Sequence, residues 1–333
     1  MRVLVTGSSG FIGSYMIKKL LRDRPDWDIV GIERLSVSGN QERLRKLDLA
    51  KYSSVLHDLR NPVSDYLAET TLGKNFDYII HIAASSHVDR SIEDPMSFVL
   101  DNVVATCNIL EFARRCPNLK KFVYFSTDEV FGPAPPGVIY LENDRYNSTN
   151  PYSATKAGGE ELAVAYRNTY KLPVVVTHTM NVFGENQHPE KFIPKCIEYS
   201  RTGKTLQIHS DSTKTIPGSR FYVHGDDVAD AVMFVLALDD SAEEMCPKYN
   251  IVGPEELNNY ELAQMIAGIV GNPLVYEFVD FHSSRPGHDL RYAISGQKLK
   301  ELGWAPKFTV KQRLEEVIGA TTDKNPIDPE VST

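Results

Sequence analysis

The chain is expected to fold as an α/β protein: a doubly wound parallel sheet with a smaller C-terminal α/β lobe. Three observations carry that expectation. The N-terminal apolar run meets a glycine-rich turn and then an amphipathic stretch, apolar strand-like runs alternate with helical patterns through the first half, and the alternation breaks down after Gly184. At 333 residues the chain is too long for one simple core and suits a sheet domain plus a lobe.

Met1–Thr6 reads as a strand, Gly7-Ser8-Ser9-Gly10-Phe11-Ile12-Gly13 as a tight turn, and Tyr15–Leu21 as the helix after it. Glycines at intervals of three let the backbone approach a pyrophosphate, which the N–H groups of a helix N-terminus then hold. The pattern is that of a Rossmann-like dinucleotide site, with Gly7, Gly10, Phe11, Ile12 and Gly13 as its residues. Asp28–Ile32 reads as the second strand, and Glu33 follows it, twenty residues after Gly13. A carboxylate there hydrogen-bonds the adenosine ribose and repels a 2′-phosphate, which favours NAD over NADP. Arg34 beside it could receive such a phosphate.

Further strands are expected at 54–57, 78–82, 122–125 and 174–177, separated by helical segments at 63–71, 95–115 and 151–170. In such sheets ligands bind beyond the carboxyl ends of the strands. Gly7–Gly13, Glu33, Asp58, Ala83-Ala84-Ser85 and Thr127–Glu129 all fall there. From 184 to 220 the sequence reads as turn-rich, with a loop at 211–219. A helix at 226–238 packs back on the sheet, and a strand follows at 248–252. Asn258 caps a helix that runs to Val270 and stops at Gly271-Asn272-Pro273. The rest, to about Gly319, mixes a strand with two short helices. The expected division is a NAD-binding domain over 1–180 with 221–252 packed onto it, a substrate-binding lobe from 181–220 and 253–320, and a frayed tail at 321–333.

A net charge of −8 and a pI near 5.6 argue against nucleic acid or an anionic membrane as partner. There is no uninterrupted apolar run of about 18 residues, and with a strand expected from the first residues no signal peptide is expected. Cys107, Cys116, Cys196 and Cys246 are scattered, without metal-ligand spacing, and read as reduced core residues of a cytoplasmic protein. No metal is expected.

The reactive residues lie between 126 and 156. Ser126-Thr127-Asp128-Glu129-Val130-Phe131-Gly132 puts two adjacent carboxylates just past a strand. Tyr152-Ser153-Ala154-Thr155-Lys156 puts a phenol and an ammonium on one helix face. The positive charge is expected to lower the phenol from its ordinary pKa of about 10, making Tyr152 a base. Neighbouring carboxylates raise one pKa, which leaves one of them protonated near neutrality. A phenolate base, a dinucleotide site and an acid/base pair together suggest oxidation coupled to elimination.

Thr6-Gly7-x-x-Gly10-x-x-Gly13 with Tyr152-x-x-x-Lys156 resembles the extended short-chain dehydrogenase/reductase superfamily. The Ser126–Gly132 segment, Ser86-His87-Val88-Asp89-Arg90-Ser91-Ile92 and Arg285-Pro286-Gly287-His288-Asp289-Leu290-Arg291-Tyr292 resemble the nucleotide-diphosphate-glucose 4,6-dehydratases in particular. The likeness runs from residue 1 to about 318. It implies that Tyr152, aided by Lys156, takes the sugar O4 proton as C4 gives hydride to NAD, with Thr127 bonded to O4. Glu129 then removes the C5 proton and Asp128 protonates the departing C6 hydroxyl; hydride returns to C6. The resemblance further implies Asp58 and Leu59 near adenine, Ala83, Ala84, Ser85 and Asn102 along the cofactor, and Ser86, Asn181, Lys191, Arg220, Asn250, Arg285 and His288 around the substrate. It also implies a homodimer formed by the helices at 95–115 and 151–170.

The sequence departs from that pattern where sugar and base would be gripped. Phe131 replaces a tyrosine, Ser85 a glutamate, and Phe221 an aspartate; Glu185-Asn186-Gln187-His188 stands where the pattern has Pro-Tyr-Gln-Phe, with Pro189-Glu190-Lys191 resuming the match, and the His209–Arg220 loop is longer by about four residues. The nucleotide base is therefore open among dTDP, UDP and CDP. An NAD-dependent 4-epimerase, which needs neither Asp128 nor Glu129, is the alternative activity, and a non-catalytic NAD-binding regulator the alternative class.

Overall fold

The computed structural model describes residues 1–34, 40–45, 47, 50–240, 242–280 and 290–322. Its strands are β1 Arg2–Thr6, β2 Asp28–Glu33, β3 Tyr52–Leu56, β4 Tyr78–His81, β5 Lys121–Thr127, β6 Val174–Thr179, β7 Asn181–Phe183, β8 Leu206–Ser210, β9 Ser219–His224, β10 Lys248–Ile251, β11 Glu256–Asn258 and β12 Tyr276–Asp280. The α-helices are α1 Phe11–Asp23, α2 Asp65–Leu67, α3 Val88–Glu93, α4 Pro95–Val99, α5 Ala105–Ala113, α6 Pro151–Tyr170, α7 Phe192–Thr202, α8 Gly225–Ala237, α9 Asn259–Val270, α10 Gln297–Glu301 and α11 Val310–Thr322.

Seven parallel strands make the main sheet in the order β10-β6-β5-β4-β1-β2-β3. Order reverses between β1 and β4, so a crevice opens above their carboxyl ends. Side chains alternate between two cores, as a pleated strand requires. Val3, Val5, Ile29, Val123 and Phe125 face one side, under α1 and α8. Leu4, Val30, Ile32, Phe122 and Tyr124 face the other, under α5 and α6. All seven residues of β5 are buried, as expected for a central parallel strand covered on both faces.

α6 has the bounds the sequence suggests. Asn150 caps it through a reciprocal pair of bonds with Ser153, Pro151 opens its first turn, and Lys171 ends it in the left-handed region at φ 58°. The helix expected at 95–115 is instead α4, a widened π turn at Leu100–Val104, and α5. That run, Pro95–Ala113, is by length and composition apolar enough to cross a membrane (mean hydropathy 1.3). Its apolar side is largely core: Phe98, Ala105, Ile109, Leu110 and Phe112 are buried.

The 184–220 region is more ordered than its turn residues suggest. It holds α7 and β8, while β7 and β9 flank it. Ile193, Cys196, Ile197 and Ser200 form the buried stripe of α7, and Pro194 in its first turn disguises it. β8 pairs with β12, nearly seventy residues away, so no local pattern announces it. β9 does not join the main sheet; it pairs with β7 and β11, whereas α8 packs on α1 and β10 on β6. Phe183, Ile193, Ile208, Leu257, Leu262 and Leu314 belong to a separate core cluster of the second half. α11, at 13 residues, exceeds the short helix expected there. The four cysteines are free thiols, three of them buried.

Candidate active site

The glycine turn sits between β1 and α1 at the crevice. Gly7 has φ +68°, and a Cβ there would lie 2.9 Å from the Ala83 Cα; one on Gly13 would lie 2.0 Å from the Gly7 carbonyl oxygen. Only glycine fits at either place. Among the described residues no side chain caps α1, whose N-cap is Gly10, and the N–H groups of its first turn suit an anion. Buried Glu33 accepts bonds from the Ser8 hydroxyl (2.8 Å) and the Ser9 amide. This cradle fits a dinucleotide: a pyrophosphate against the glycines and a ribose beside Glu33. Phe11 and Ile12 are half-buried against the core beneath.

The other candidate cofactor residues are placed less uniformly. Ala83 donates its amide to the Thr6 hydroxyl at 3.1 Å. Asn102, in the π turn, accepts from the Ser85 amide (2.8 Å) and donates to the Ser85 carbonyl (3.0 Å) and to Thr155 (2.9 Å), so it braces the 83–85 edge and α6 together. Ala84 is exposed there. Leu59 is buried in the core, and its carbonyl accepts from Asn108. Arg34 donates to both oxygens of Asp101, at 2.6 and 3.0 Å, and lies 3.7 Å from Asp58.

The reactive groups converge at the carboxyl end of β5. Thr127 donates to Asp128 (3.1 Å) and accepts from the Glu129 amide (3.3 Å). Asp128 is buried and its second oxygen has no partner among the described residues. Burial first, then the Glu129 charge, pushes its carboxyl up to about 7, against the pull of Thr127 and Arg220. Tyr152 is buried against Val88 and Phe98. Burial and the negative charges of Glu129 and Asp128 raise its phenol above the ordinary value, opposed by a bond with Thr127. The expected lowering by Lys156 is therefore not found. The Lys156 ammonium donates to the Phe125 carbonyl at 2.5 Å and lies over the Tyr124 ring, and burial pushes it down to about 7 with Glu160 opposing.

Two residues not singled out from sequence complete the centre. Asn150 donates its side-chain amide to Glu129 at 3.2 Å. Ser91 accepts the Tyr152 amide at 3.1 Å, tying α3 to the start of α6. Asn150 before Pro151 is a legible cap; its link to Glu129 is tertiary and has no sequence signal.

The candidate substrate residues are placed unevenly. Arg220, half-buried, acts electrostatically on Asp128, donates to the Ser219 and Leu290 carbonyls (2.7 and 2.6 Å) and stacks over Tyr292. Ser86 is exposed, Asn181 starts β7, and Lys191 occupies the N-cap position of α7. Asn250 is fully buried, its side-chain oxygen bonded to His178 at 3.0 Å, so much of it serves the interior. Behind α6 that interior holds Glu160, His178 and Lys248, with Glu160 3.1 Å from His178 and 2.8 Å from Lys248. Arg285 and His288 lie outside the described residues. His87, His188 and Glu190 bring potential metal-ligand atoms within 4.8 Å of one another. Arg90 already lies 3.7 Å from Glu190, however, and burial, Lys191 and Arg90 together push His87 down to about 4.

The NAD dependent epimerase/dehydratase family pattern matches residues 3–251. The low-salt glycan biosynthesis protein Agl12 of Haloferax volcanii is 38% identical over 96% of this chain and 97% of its own. A trifunctional UDP-glucose 4,6-dehydratase/epimerase/reductase of Arabidopsis thaliana is 34% identical over 95% of this chain, which spans 46% of that longer protein. Among solved structures, the dTDP-glucose 4,6-dehydratase DesIV of Streptomyces venezuelae, with NAD bound, superimposes with a TM-score of 0.83 at 33% identity over 96% of each chain. With its glycine cradle, seven-stranded parallel sheet and Tyr152/Lys156 pair, the chain belongs to the NAD-dependent epimerase/dehydratase family, and within it to the nucleotide-sugar 4,6-dehydratases.

Proposed function

We propose that the protein is an NAD-dependent 4,6-dehydratase that converts a nucleotide-diphosphate hexose of the dTDP- or UDP-glucose type to the 4-keto-6-deoxy sugar. The observation that carries this reading is the oxygen of buried Asp128 that has no partner among the described residues, on a carboxyl pushed up to about 7 beside Glu129 and next to Tyr152. A 4-epimerase has no use for such an acid.

NAD held by the glycine cradle would supply the hydride acceptor for C4 and the donor for C6, and its positive charge would counter the carboxylates that raise the Tyr152 phenol. Thr127 orients the sugar O4 and Tyr152 receives its proton, which Lys156 can help disperse because its own pKa is near neutrality. The C4 ketone acidifies C5, and Glu129, held by Asn150, takes that proton. Asp128, raised to about 7, keeps a large protonated fraction at neutral pH and delivers its proton to the leaving C6 hydroxyl. Arg220 and Lys191 bind the diphosphate, with Ser86 and Asn181 on the sugar.

The protein acts as a homodimer through α4, α5 and α6. Met96 and Leu100 on that run are 64% and 36% exposed, as an apolar face awaiting a second copy would be. The test of function is a panel of sugar nucleotides scored by mass spectrometry for loss of one water, with Glu129→Gln as control. Water loss from the parent alone supports the reading; a mass-neutral isomer from both proteins overturns it.

A further inference from the structure

The geometry points to Asp101 as a second determinant, beside Glu33, of which dinucleotide is accepted: we propose that its carboxylate, by clamping Arg34, withholds the guanidinium that NADP would need. This deepens the NAD reading and rests on it.

Arg34 follows Glu33 at the end of β2, where the adenosine ribose of a bound dinucleotide lies. A guanidinium at that place is the donor a 2′-phosphate needs. Here it is engaged elsewhere. Both of its terminal nitrogens donate to Asp101, one to each oxygen, at 2.6 and 3.0 Å. This is the two-pronged geometry in which arginine binds carboxylate most firmly.

Asp101 is not a chance surface partner. Its side chain is only 10% exposed, and it accepts a third bond, 2.7 Å, from the Ser85 hydroxyl. It lies in the π turn at Leu100–Val104, next to Asn102, which holds the Ser85 backbone by amide and carbonyl. The widened turn thus lets two consecutive side chains reach the same edge. One fixes Ser85, and Ser85 in turn fixes the other.

The neighbouring cations are engaged as well. Among the described residues, Arg60 is paired with Asp58 and lies 3.9 Å from Asp101, and Arg43 donates to the carbonyls of Ser9 and Asn186. A 2′-phosphate would therefore sit among Glu33, Asp58 and Asp101. It could win Arg34 only by breaking the bidentate pair, which would leave the largely buried Asp101 carboxylate with the Ser85 hydroxyl and the more distant Arg60. A 2′-hydroxyl makes no such demand.

The test is dinucleotide affinity, measured by isothermal titration calorimetry on enzyme stripped of cofactor. Asp101→Ala should raise NADP affinity relative to NAD by roughly tenfold or more, about what one charge-assisted hydrogen bond supplies. Adding Arg34→Gln should abolish the gain, since the gain belongs to the released guanidinium. Ser85→Ala, a milder change that leaves the fold intact if Asp101→Ala does not, should shift preference the same way by a smaller factor. If NAD binds the parent but NADP binds both single variants as weakly as it binds the parent, the clamp is overturned while the cofactor reading stands. Failure of the parent to bind NAD would sink both.

Discussion

Asn150 joins the two halves of the chemistry: its side-chain oxygen caps α6 two residues before Tyr152, and its amide donates to Glu129 at 3.2 Å. One residue thus sets the start of the helix that carries the phenol and the aim of the carboxylate that faces it. Asn150→Ala should cost about 1 kcal/mol of stability through the lost cap. It should also slow C5 deprotonation more than C4 oxidation, seen as build-up of reduced nicotinamide absorbance during turnover.

The Asp128 carboxyl gives a pH signature. Raised from 3.8 to about 7 by burial and Glu129, it binds a proton in the folded protein that the unfolded chain has lost above pH 4. Stability should therefore fall as pH rises from about 4 to 7, the opposite of a salt-bridged acid. Asp128→Asn removes that slope, so calorimetry should find it more stable than the parent at pH 8 by about 2–5 °C in Tm. Activity should move against stability. Parent kcat/KM should decline above pH 7 as the acid ionises, and the variant should lose roughly 10²–10⁴-fold in water elimination.

Gly13→Ala tests the cradle. Its Cβ would meet the Gly7 carbonyl oxygen at 2.0 Å, which no side-chain movement relieves. The variant should purify without bound NAD and lose all activity. Chromatography of the nucleotide released by denaturation reads this directly.

Glu160 tests the charge network behind α6. It is fully buried between His178 and Lys248, whose charges and hydrogen bonds hold its carboxyl well below the ordinary range despite burial. Glu160→Gln leaves the Lys248 ammonium without its carboxylate and should cost on the order of 3–5 kcal/mol in denaturant unfolding. The parent's own Glu160 contribution is present at neutral pH and lost as pH falls through the lowered folded pKa.

The parts legible in the sequence are those written in local pattern. The glycine turn, the alternating strands and the Asn150-Pro151 cap are short-range features, and each lies where its residues indicate. α7 and β8 were hidden, one by Pro194 and the other because β8 finds its partner in β12. At the site, the adjacency of Thr127, Asp128, Glu129, Tyr152 and Lys156 could be inferred, but their electrostatics could not. A lysine four residues along the helix suggests a low phenol pKa; the fold instead aims Lys156 at the Phe125 carbonyl and sets two carboxylates by Tyr152. Likewise Arg34 looks in sequence like a phosphate donor, and only the fold reveals Asp101 holding it.

The central claim is that one crevice oxidises C4 and removes water across C5 and C6 of the same hexose. A substrate deuterated at C4 tests it most directly, with product analysed by mass spectrometry and NMR. The account predicts a product lighter by one water that carries the deuterium on its C6 methyl group. A product of unchanged mass with deuterium still at C4 would contradict it.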